Sequence, residues 1–184
     1  MNSEWQKLSE SQQQVGYRIV TTKKFLLPDG RHGEFTIIGK SGAQNVATIA
    51  LTPENKIIIA KQYRPGPEMM LYELPGGEAD PGEKLHAAAA RELREETGYV
   101  SNEPFELLGN ASRDAYVNEM SNYFIARNCY QKFGQQLDST EFIEILLMDI
   151  AEVLAVARQG LISDAPALLM AFELLQRIQS QHST

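Results

Sequence analysis

The feature that most constrains the fold is one long run of helix-forming residues between two groups of strand-forming segments. The run covers residues 83–97 without Gly or Pro and is followed by Gly98, a residue that favours a helix C-terminus. Before it, β-branched and aromatic segments are separated by turn signals such as Pro28-Asp29-Gly30. After it come further strand candidates and then two more helical stretches. This order of elements predicts a mixed α/β domain.

The strand and helix candidates have defined positions along the chain. Residues 57–60 are apolar on both faces, which is typical of a central strand. The C-terminal helices are expected at 150–158 and 165–178, the second with Ser163 or Asp164 as its N-cap. The predicted strands are residues 17–25, 34–38, 46–51, 57–62, 71–74, 105–108, 122–126 and 142–147.

The length of 184 residues suits one domain with a short extension. Residues 1–14 are polar and predict either a loosely held N-terminal arm or a segment that docks on something else. Residues 15–184 predict a single domain, in which residues 15–45 form an N-terminal β extension.

Charge and cysteine content exclude several classes of function. The formal net charge of −7 argues against a surface that tracks nucleic-acid phosphates. The single cysteine, Cys129, cannot form an internal disulfide, and no Cys/His cluster could hold zinc. Neither a membrane span nor a signal core is present in the sequence, so a cytoplasmic protein is expected.

The predicted helix at 83–97 places acidic side chains where an apolar face is expected. Leu85, Ala89, Glu92 and Glu96 fall within a sector of about 60° on a helical wheel. Carboxylates on such a face cost several kcal/mol unless a positive charge neutralises them, and Mg²⁺ is the obvious candidate. The alternative is a solvated helix stabilised by Glu/Arg pairs.

The surrounding residues form a long, charged and specifically spaced motif. Gly77 is followed at fixed spacing by Glu83, by Arg91-Glu92-Leu93, by Glu95-Glu96 and by Gly98. This pattern resembles the Nudix box, G-x5-E-x7-R-E-U-x-E-E-x-G-U, in which U is a bulky aliphatic residue. The one departure is Tyr99 at the last position, and Val100 follows it as an alternative packing residue.

Residues 24–126 resemble more specifically the ADP-ribose pyrophosphatase branch of the Nudix hydrolases. The matching pieces are Leu27-Pro28-Asp29-Gly30, Gln62-Tyr63-Arg64 and the segment 72–77 that leads into the box. The resemblance implies a Nudix fold, which is an α/β/α sandwich around a mixed β-sheet. It also implies metal-dependent hydrolysis of a nucleoside diphosphate sugar to a nucleoside monophosphate and a sugar phosphate, with Mg²⁺ as cofactor and Mn²⁺ as a substitute.

By the same resemblance, helix residues of the box form the metal site. Glu92 and Glu96 are the expected principal ligands, Glu95 belongs to the same cluster, and the carbonyl group of Gly76 is the expected backbone ligand. Arg91 would orient these carboxylates. Pyrophosphate oxygens can approach so acidic a surface only through bridging cations, which agrees with this chemistry.

Three further residues are candidates for substrate binding: Arg64, Glu73 and Arg113. Arg64 follows a buried strand and is placed either to contact a phosphate or terminal sugar, or to form a salt bridge with Glu73 or Glu68. Arg113 lies in a loop after the box, where it either binds a substrate phosphate or is solvated.

A base or water-positioning group is also needed. Glu119 matches, by its spacing from the box, the glutamate of the pattern S-P-G-x-x-x-E in this branch; Glu95 and a purely metal-activated water are the alternatives. Asp114 and Ala115 stand where Pro and Gly are usual in ADP-ribose enzymes. This departure shifts weight towards other nucleoside diphosphate sugars, such as GDP-mannose.

Two other function classes stay open on the sequence alone. One is a non-catalytic Nudix-fold nucleotide sensor, which the intact set of Glu92, Glu95 and Glu96 disfavours. The other is a hydrolase of nucleoside triphosphates or dinucleotide polyphosphates, and the long strand region before Val46 argues against its minimal triphosphatase form. The resemblance also implies a homodimer that pairs through the N-terminal strands.

Overall fold

The computed structural model describes residues 4–181. Residues 1–3 of the predicted arm and 182–184 of the predicted domain lie outside this part of the chain. The chain forms two compact units. The first comprises the residues up to Gln44 together with Ser112–Ser121, and the second comprises Asn45–Ala111 and the residues from Asn122 onward.

The first unit contains an antiparallel sheet with the strand order β1-β2-β3. Its strands are β1 (Gln6–Val15), β2 (Arg18–Leu26) and β3 (His32–Ile38). The predicted Pro28-Asp29-Gly30 turn joins β2 to β3, and the Gly30 amide donates a hydrogen bond to the Leu27 carbonyl oxygen at 2.9 Å. The strands expected at 17–25 and 34–38 are therefore confirmed.

Of the two expectations for the N-terminal segment, a loosely held arm or a segment that docks on something else, strand β1 rules out the loosely held arm for residues 6–15. Its residues are all exposed, yet its backbone pairs with β2 from Gln6 opposite Leu26 to Val15 opposite Arg18. A ladder of backbone hydrogen bonds does not require apolar side chains, so a polar segment can complete a sheet. Trp5 precedes this strand, and its ring centroid lies 5.2 Å from that of Phe35.

The second unit contains the remaining strands and the helices. Its sheets have the orders β7-β4-β10-β9, β12-β5-β6 and β11-β8. The strands are β4 (Gln44–Ala50), β5 (Ile57–Arg64), β6 (Met69–Glu73), β7 (Gly76–Glu78), β8 (Tyr99–Val100), β9 (Glu106–Ser112), β10 (Met120–Ala126), β11 (Tyr130–Gln131) and β12 (Glu144–Met148). The helices are α1 (Leu85–Thr97), α2 (Ile150–Arg158), α3 (Ala165–Met170) and α4 (Phe172–Gln181).

Successive residues of β4 pack against helices on opposite sides. Val46 clusters with Ala88 of α1, whereas Ala47 clusters with Val153 of α2 and Leu175 of α4. Since neighbouring residues of a strand point to opposite faces, helices cover both faces of this strand. The α/β class and the α/β/α sandwich are confirmed. Strand β5, predicted to be central, lies between β12 and β6 with its first residues fully buried.

Helix α1 begins two residues later than predicted and ends where expected. The Glu83 amide donates to the Asp80 carbonyl oxygen at 2.9 Å, and the Glu83 carboxylate accepts from the Asp80 amide at 3.0 Å. Glu83 therefore closes a turn instead of starting the helix. At the other end, Gly98 takes a left-handed conformation with φ 75° and its amide donates to the Arg94 carbonyl oxygen.

The final predicted helix is divided in the structure. Ala171, with φ −92° and ψ 1°, separates α3 from α4 within the predicted segment 165–178. Asp164 precedes α3 as expected, but its side chain does not cap the helix. Its carboxylate instead accepts hydrogen bonds from the Leu74 amide at 3.2 Å and from the Ser163 hydroxyl at 2.9 Å. Within residues 4–181, none of the helices has the length and apolar character to cross a membrane.

Candidate active site

At the candidate site, strand β7 comes close to helix α1. Gly76 lies opposite Ala47 of β4, and its amide donates a hydrogen bond to the Glu96 carboxylate at 2.9 Å. A Cβ atom at Gly76 would lie 2.1 Å from the Val46 carbonyl oxygen. The absence of a side chain at Gly76 thus lets the backbone approach both β4 and Glu96.

Arg91 organises the acidic side chains of α1. Its guanidinium donates to both carboxylate oxygens of Glu83, at 3.1 and 3.0 Å, to Glu92 at 2.7 Å and to Glu95 at 3.2 Å. These bonds raise the pKa of Arg91, and those with Glu83 contribute most. The hydrogen bonds between Arg91 and Glu83 also lower the pKa of Glu83. Arg91 thus contacts three carboxylates of the Nudix box, and its orienting role stays a prediction.

Two carboxylates of α1 are held in surroundings that disfavour their charge. Burial raises the pKa of Glu96 to about 8, against the hydrogen bond from the Gly76 amide, and the neighbouring carboxylates of Glu92 and Glu141 raise it further. Burial is also the main cause that raises the pKa of Glu92. A bound cation would compensate these buried negative charges.

These residues line one cleft of about 280 Å³. It brings together Gly76, Arg91, Glu92, Glu95 and Glu96, all of which the sequence predicted, with residues that the prediction missed. The lining residues not predicted for the site are Gly77, Glu78, Gln136, Asp138 and Glu141. The last three come from the loop before β12, where the only sequence signal is an acidic pair in a polar stretch.

The side chains of this cleft suit a hard cation by their chemistry. Its donors are carboxylate oxygens, the ligand type that Mg²⁺ prefers. Among residues 4–181, however, no three Asp, Glu, His or Cys side chains are gathered closely enough to hold a metal ion. The Glu92 and Glu95 carboxylates instead accept hydrogen bonds from Arg91, and the Glu96 carboxylate accepts one from the Gly76 amide. The donor types therefore fit a divalent cation, and the ligand set itself stays a prediction.

Two of the predicted substrate-binding residues bind each other. The Arg64 guanidinium donates to both carboxylate oxygens of Glu73, with Nε at 2.8 Å from Oε1, and Gln62 donates to the same carboxylate at 3.1 Å. The bond to Glu73 raises the pKa of Arg64. The salt bridge that the sequence offered as an alternative to substrate contact is thus formed with Glu73.

Arg113 and Glu119 belong to the first unit. They line a cleft of about 580 Å³ there, together with Arg18, Ile38 and other residues. Glu119 lies beside Gly39, where a Cβ atom would come within 2.8 Å of the Glu119 carboxylate. The roles predicted for Arg113 and Glu119 stay predictions.

The sequence model for the NUDIX domain matches residues 43–168. The chain belongs to the NUDIX family. This match covers the whole acidic cleft and confirms the resemblance that the box residues indicated. The prediction of a Nudix hydrolase is confirmed with it.

The chain is also similar to curated relatives and to a solved structure. The chain is 32% identical over 151 residues to a methanol dehydrogenase activator of Bacillus methanolicus, covering 82% of this chain and 80% of the relative. It is 29% identical over 158 residues to an ADP-ribose pyrophosphatase of Bacillus subtilis, covering 84% of each. An ADP compounds hydrolase structure superposes with a TM-score of 0.75 at 21% identity, over 94% of this chain and 95% of that one, which supports the fold.

The one departure from the Nudix box has a structural explanation. Tyr99 is partly buried and packs against the apolar cluster that contains Ile58, Leu93 and Cys129. The aromatic ring thus fills the place that the motif gives to an aliphatic side chain, and the packing function is kept.

Proposed function

We propose that this Nudix protein hydrolyses the pyrophosphate bond of a nucleoside diphosphate sugar of the ADP-ribose type. The products would be a nucleoside monophosphate and a sugar phosphate. The observation that carries the proposal is the cleft in which Glu92, Glu95 and Glu96 of one helix lie together beside Gly76. Relatives named as ADP-ribose pyrophosphatases support this substrate class over other sugars such as GDP-mannose.

We further propose Mg²⁺ as the resident cation, with Mn²⁺ as a substitute. Glu92, Glu95, Glu96 and the Gly76 carbonyl are the groups proposed to hold it. When bound, such a cation lowers the pKa of water and stabilises charge on the phosphate oxygens. Support comes from the oxygen-only donor set and from the burial of Glu92 and Glu96, which disfavours their charged forms unless a cation is bound.

Within this proposal, the protein's own residues orient the acids and accept a proton. Arg91 holds Glu92 and Glu95 in place. We assign proton acceptance from the attacking water to Glu141, whose carboxylate lines the cleft and accepts a hydrogen bond from the Asp138 amide at 3.0 Å. Glu95 suits this role less well because Arg91 and Arg94 occupy both of its carboxylate oxygens.

A substrate panel tests the proposed reaction. The protein with Mg²⁺ is given ADP-ribose, GDP-mannose, UDP-glucose, dinucleotide polyphosphates and nucleoside triphosphates, and released monophosphate is measured. We expect ADP-ribose to give the highest kcat/KM. Glu96→Gln should lower kcat/KM at least about 100-fold, while Glu173→Gln, an exposed control on α4, should stay within about twofold. No turnover of any diphosphate sugar would overturn the proposal.

The same assay separates the candidate bases. Glu141→Gln, Glu95→Gln and Glu119→Gln are compared at saturating Mg²⁺. We expect Glu141→Gln to cause the largest fall in kcat, about 100-fold or more. A larger fall for Glu119→Gln would return the role to the residue predicted from sequence. Triphosphate or dinucleotide turnover above that of all sugars would favour the alternative hydrolase class, and binding without turnover would favour a sensor.

Assembly and location are proposed on separate grounds. We propose a homodimer that pairs through the N-terminal strands, supported by the exposed apolar side chains of Val15 and Tyr17.

We propose a cytoplasmic location, supported by Cys129, which is a buried free thiol. We propose that neither nucleic acid nor a membrane is a partner, since the net charge of −7 disfavours polyanionic surfaces. The acidic cleft supports a small anion held through a cation.

A further inference from the structure

The loop that carries Glu141 is tied to helix α1 by one side chain. The Gln135 side-chain amide donates to the Glu96 carbonyl oxygen at 2.8 Å and to the Ile143 carbonyl oxygen at 3.1 Å. Both acceptors belong to buried residues. Glu96 lies in the last turn of α1, and Ile143 directly precedes β12. One amide group therefore joins the two ends of the segment 135–143 and fastens them to the helix.

Backbone hydrogen bonds define the rest of this loop. The Gln136 amide donates to the Glu95 carbonyl oxygen at 2.7 Å, which places the start of the loop on α1. Farther along, the Glu141 amide donates to the Asp138 carbonyl oxygen at 3.0 Å, and the Glu141 carboxylate accepts from the Asp138 amide at 3.0 Å. The Asp138–Glu141 turn is thus closed on itself, and Gln135 links the chain beyond it back to the helix.

We propose that Gln135 is a positioning residue that sets the Glu141 carboxylate against the acids of α1. This inference rests on the proposed function, because Glu141 is the proton acceptor assigned there. Gln135 would act through Glu141 without touching the substrate. A primary amide suits the task because its NH₂ group carries two donors, one for each carbonyl oxygen. A glutamate in the same place offers no donor when ionised.

The first test measures the loop directly and does not depend on turnover. Amide hydrogen exchange of Gln136, Asp138 and Glu141 is followed by NMR in the wild type, in Gln135→Ala and in Gln135→Glu. We expect exchange at these three amides to become at least about 10-fold faster in both variants. The amides of α1 should change by less than about twofold, which shows that the variants are folded. Unchanged exchange in the loop would overturn the proposal.

The second test asks whether the loop position matters for catalysis. In Gln135→Ala we expect kcat to fall at least about 10-fold while KM stays within about threefold. In a Glu141→Gln background the same substitution should change kcat by less than about twofold, because its effect passes through the Glu141 carboxylate. Gln131→Ala, an exposed glutamine on β11, serves as the control and should match the wild type.

The outcomes distinguish this proposal from the proposed function. Equal falls in kcat in the wild-type and Glu141→Gln backgrounds would overturn the positioning role, as would faster loop exchange with unchanged kcat. Failure of the wild type to hydrolyse any diphosphate sugar would overturn the proposed function instead. In that case the exchange measurement alone decides whether Gln135 holds the loop.

Discussion

Three glycines around the Nudix box occupy positions where an added Cβ atom would come too close to a neighbouring group. A Cβ atom would lie 2.1 Å from the Val46 carbonyl oxygen at Gly76, 2.6 Å from the Glu92 carboxylate at Gly77, and 2.1 Å from the Phe133 carbonyl oxygen at Gly98. Gly98 also has φ 75°. Gly76 and Gly77 let the backbone come close to the carboxylates of the cleft, and Gly98 lets the chain leave α1 beside Phe133. Gly77 and Gly98 are the two of the three that the motif specifies.

Gly77→Ala should impair activity more than stability. The added methyl group meets the far end of the flexible Glu92 side chain, so the carboxylate can move away, but it then leaves its present place in the cleft. We expect kcat/KM to fall at least about 10-fold and the free energy of unfolding to change by less than about 1 kcal/mol, measured by kinetics and urea denaturation. Gly66→Ala, where a Cβ atom meets nothing within 4 Å, is the control. Equal activity of the two variants would contradict the expected displacement of Glu92.

Cys129 should resist modification in the folded protein. The side chain is fully buried, and burial raises the pKa of its thiol to about 12. At pH 8 only about one thiol in 10,000 is then ionised, and the thiolate is the reactive form. We expect no alkylation by iodoacetamide over an hour at pH 8 and rapid alkylation in urea, both followed by mass spectrometry. Fast alkylation without denaturant would show that the residue is accessible.

At the scale of elements, the contacts that the sequence could predict are local ones. Arg91 and Glu95 are four residues apart on one helix, so their pairing follows from helical spacing. Glu141 lies in the cleft because a loop folds back onto α1, and no short-range pattern encodes that return. Strand β1 was not predicted because its polar side chains show no strand pattern. The strand forms because its backbone pairs with β2. The short strands β7, β8 and β11 have too few residues to show any period.

The Arg64–Glu73 pair joins strands β5 and β6 and should contribute to stability. Glu73 keeps only 8% of its side-chain surface exposed, so Arg64→Met would leave a buried carboxylate without its cation. The Arg64 side chain is 44% exposed, and solvent therefore screens part of the interaction. We expect a loss of about 1–2 kcal/mol in the free energy of unfolding, and partial recovery when Glu73→Gln is added.

Urea denaturation measures both changes, with Arg31→Met as the matched control. Arg31 pairs with Asp29, but their side chains are 78% and 51% exposed. Solvent screens such a pair, so Arg31→Met should leave the free energy of unfolding unchanged within error. Equal effects of Arg64→Met and Arg31→Met would contradict the stabilising role of the β5–β6 pair.

At the scale of the whole molecule, a protein with a negative net charge is proposed to bind an anionic substrate, and helix α1 explains how. The net charge of −7 disfavours phosphate ligands in general. The acids of α1 differ from surface acids because Glu96 is only 6% exposed and its pKa is raised by burial. A divalent cation at this helix would give phosphate oxygens a positive centre to bind directly, whatever the sign of the net charge.

The proposed homodimer can be tested at the apolar side chains that the first unit exposes near the turn between β1 and β2. Val15 is 55% exposed and Tyr17 is 83% exposed. If they pack against a second copy, Val15→Lys with Tyr17→Lys places two charges in that interface and should convert a dimer into a monomer at micromolar concentration. Light scattering coupled to size-exclusion chromatography measures the mass. Leu169→Lys, at a site 78% exposed in the second unit, should leave the dimer intact. A monomeric wild type would contradict pairing through the N-terminal strands. So would a dimer that dissociates with Leu169→Lys but not with Val15→Lys and Tyr17→Lys.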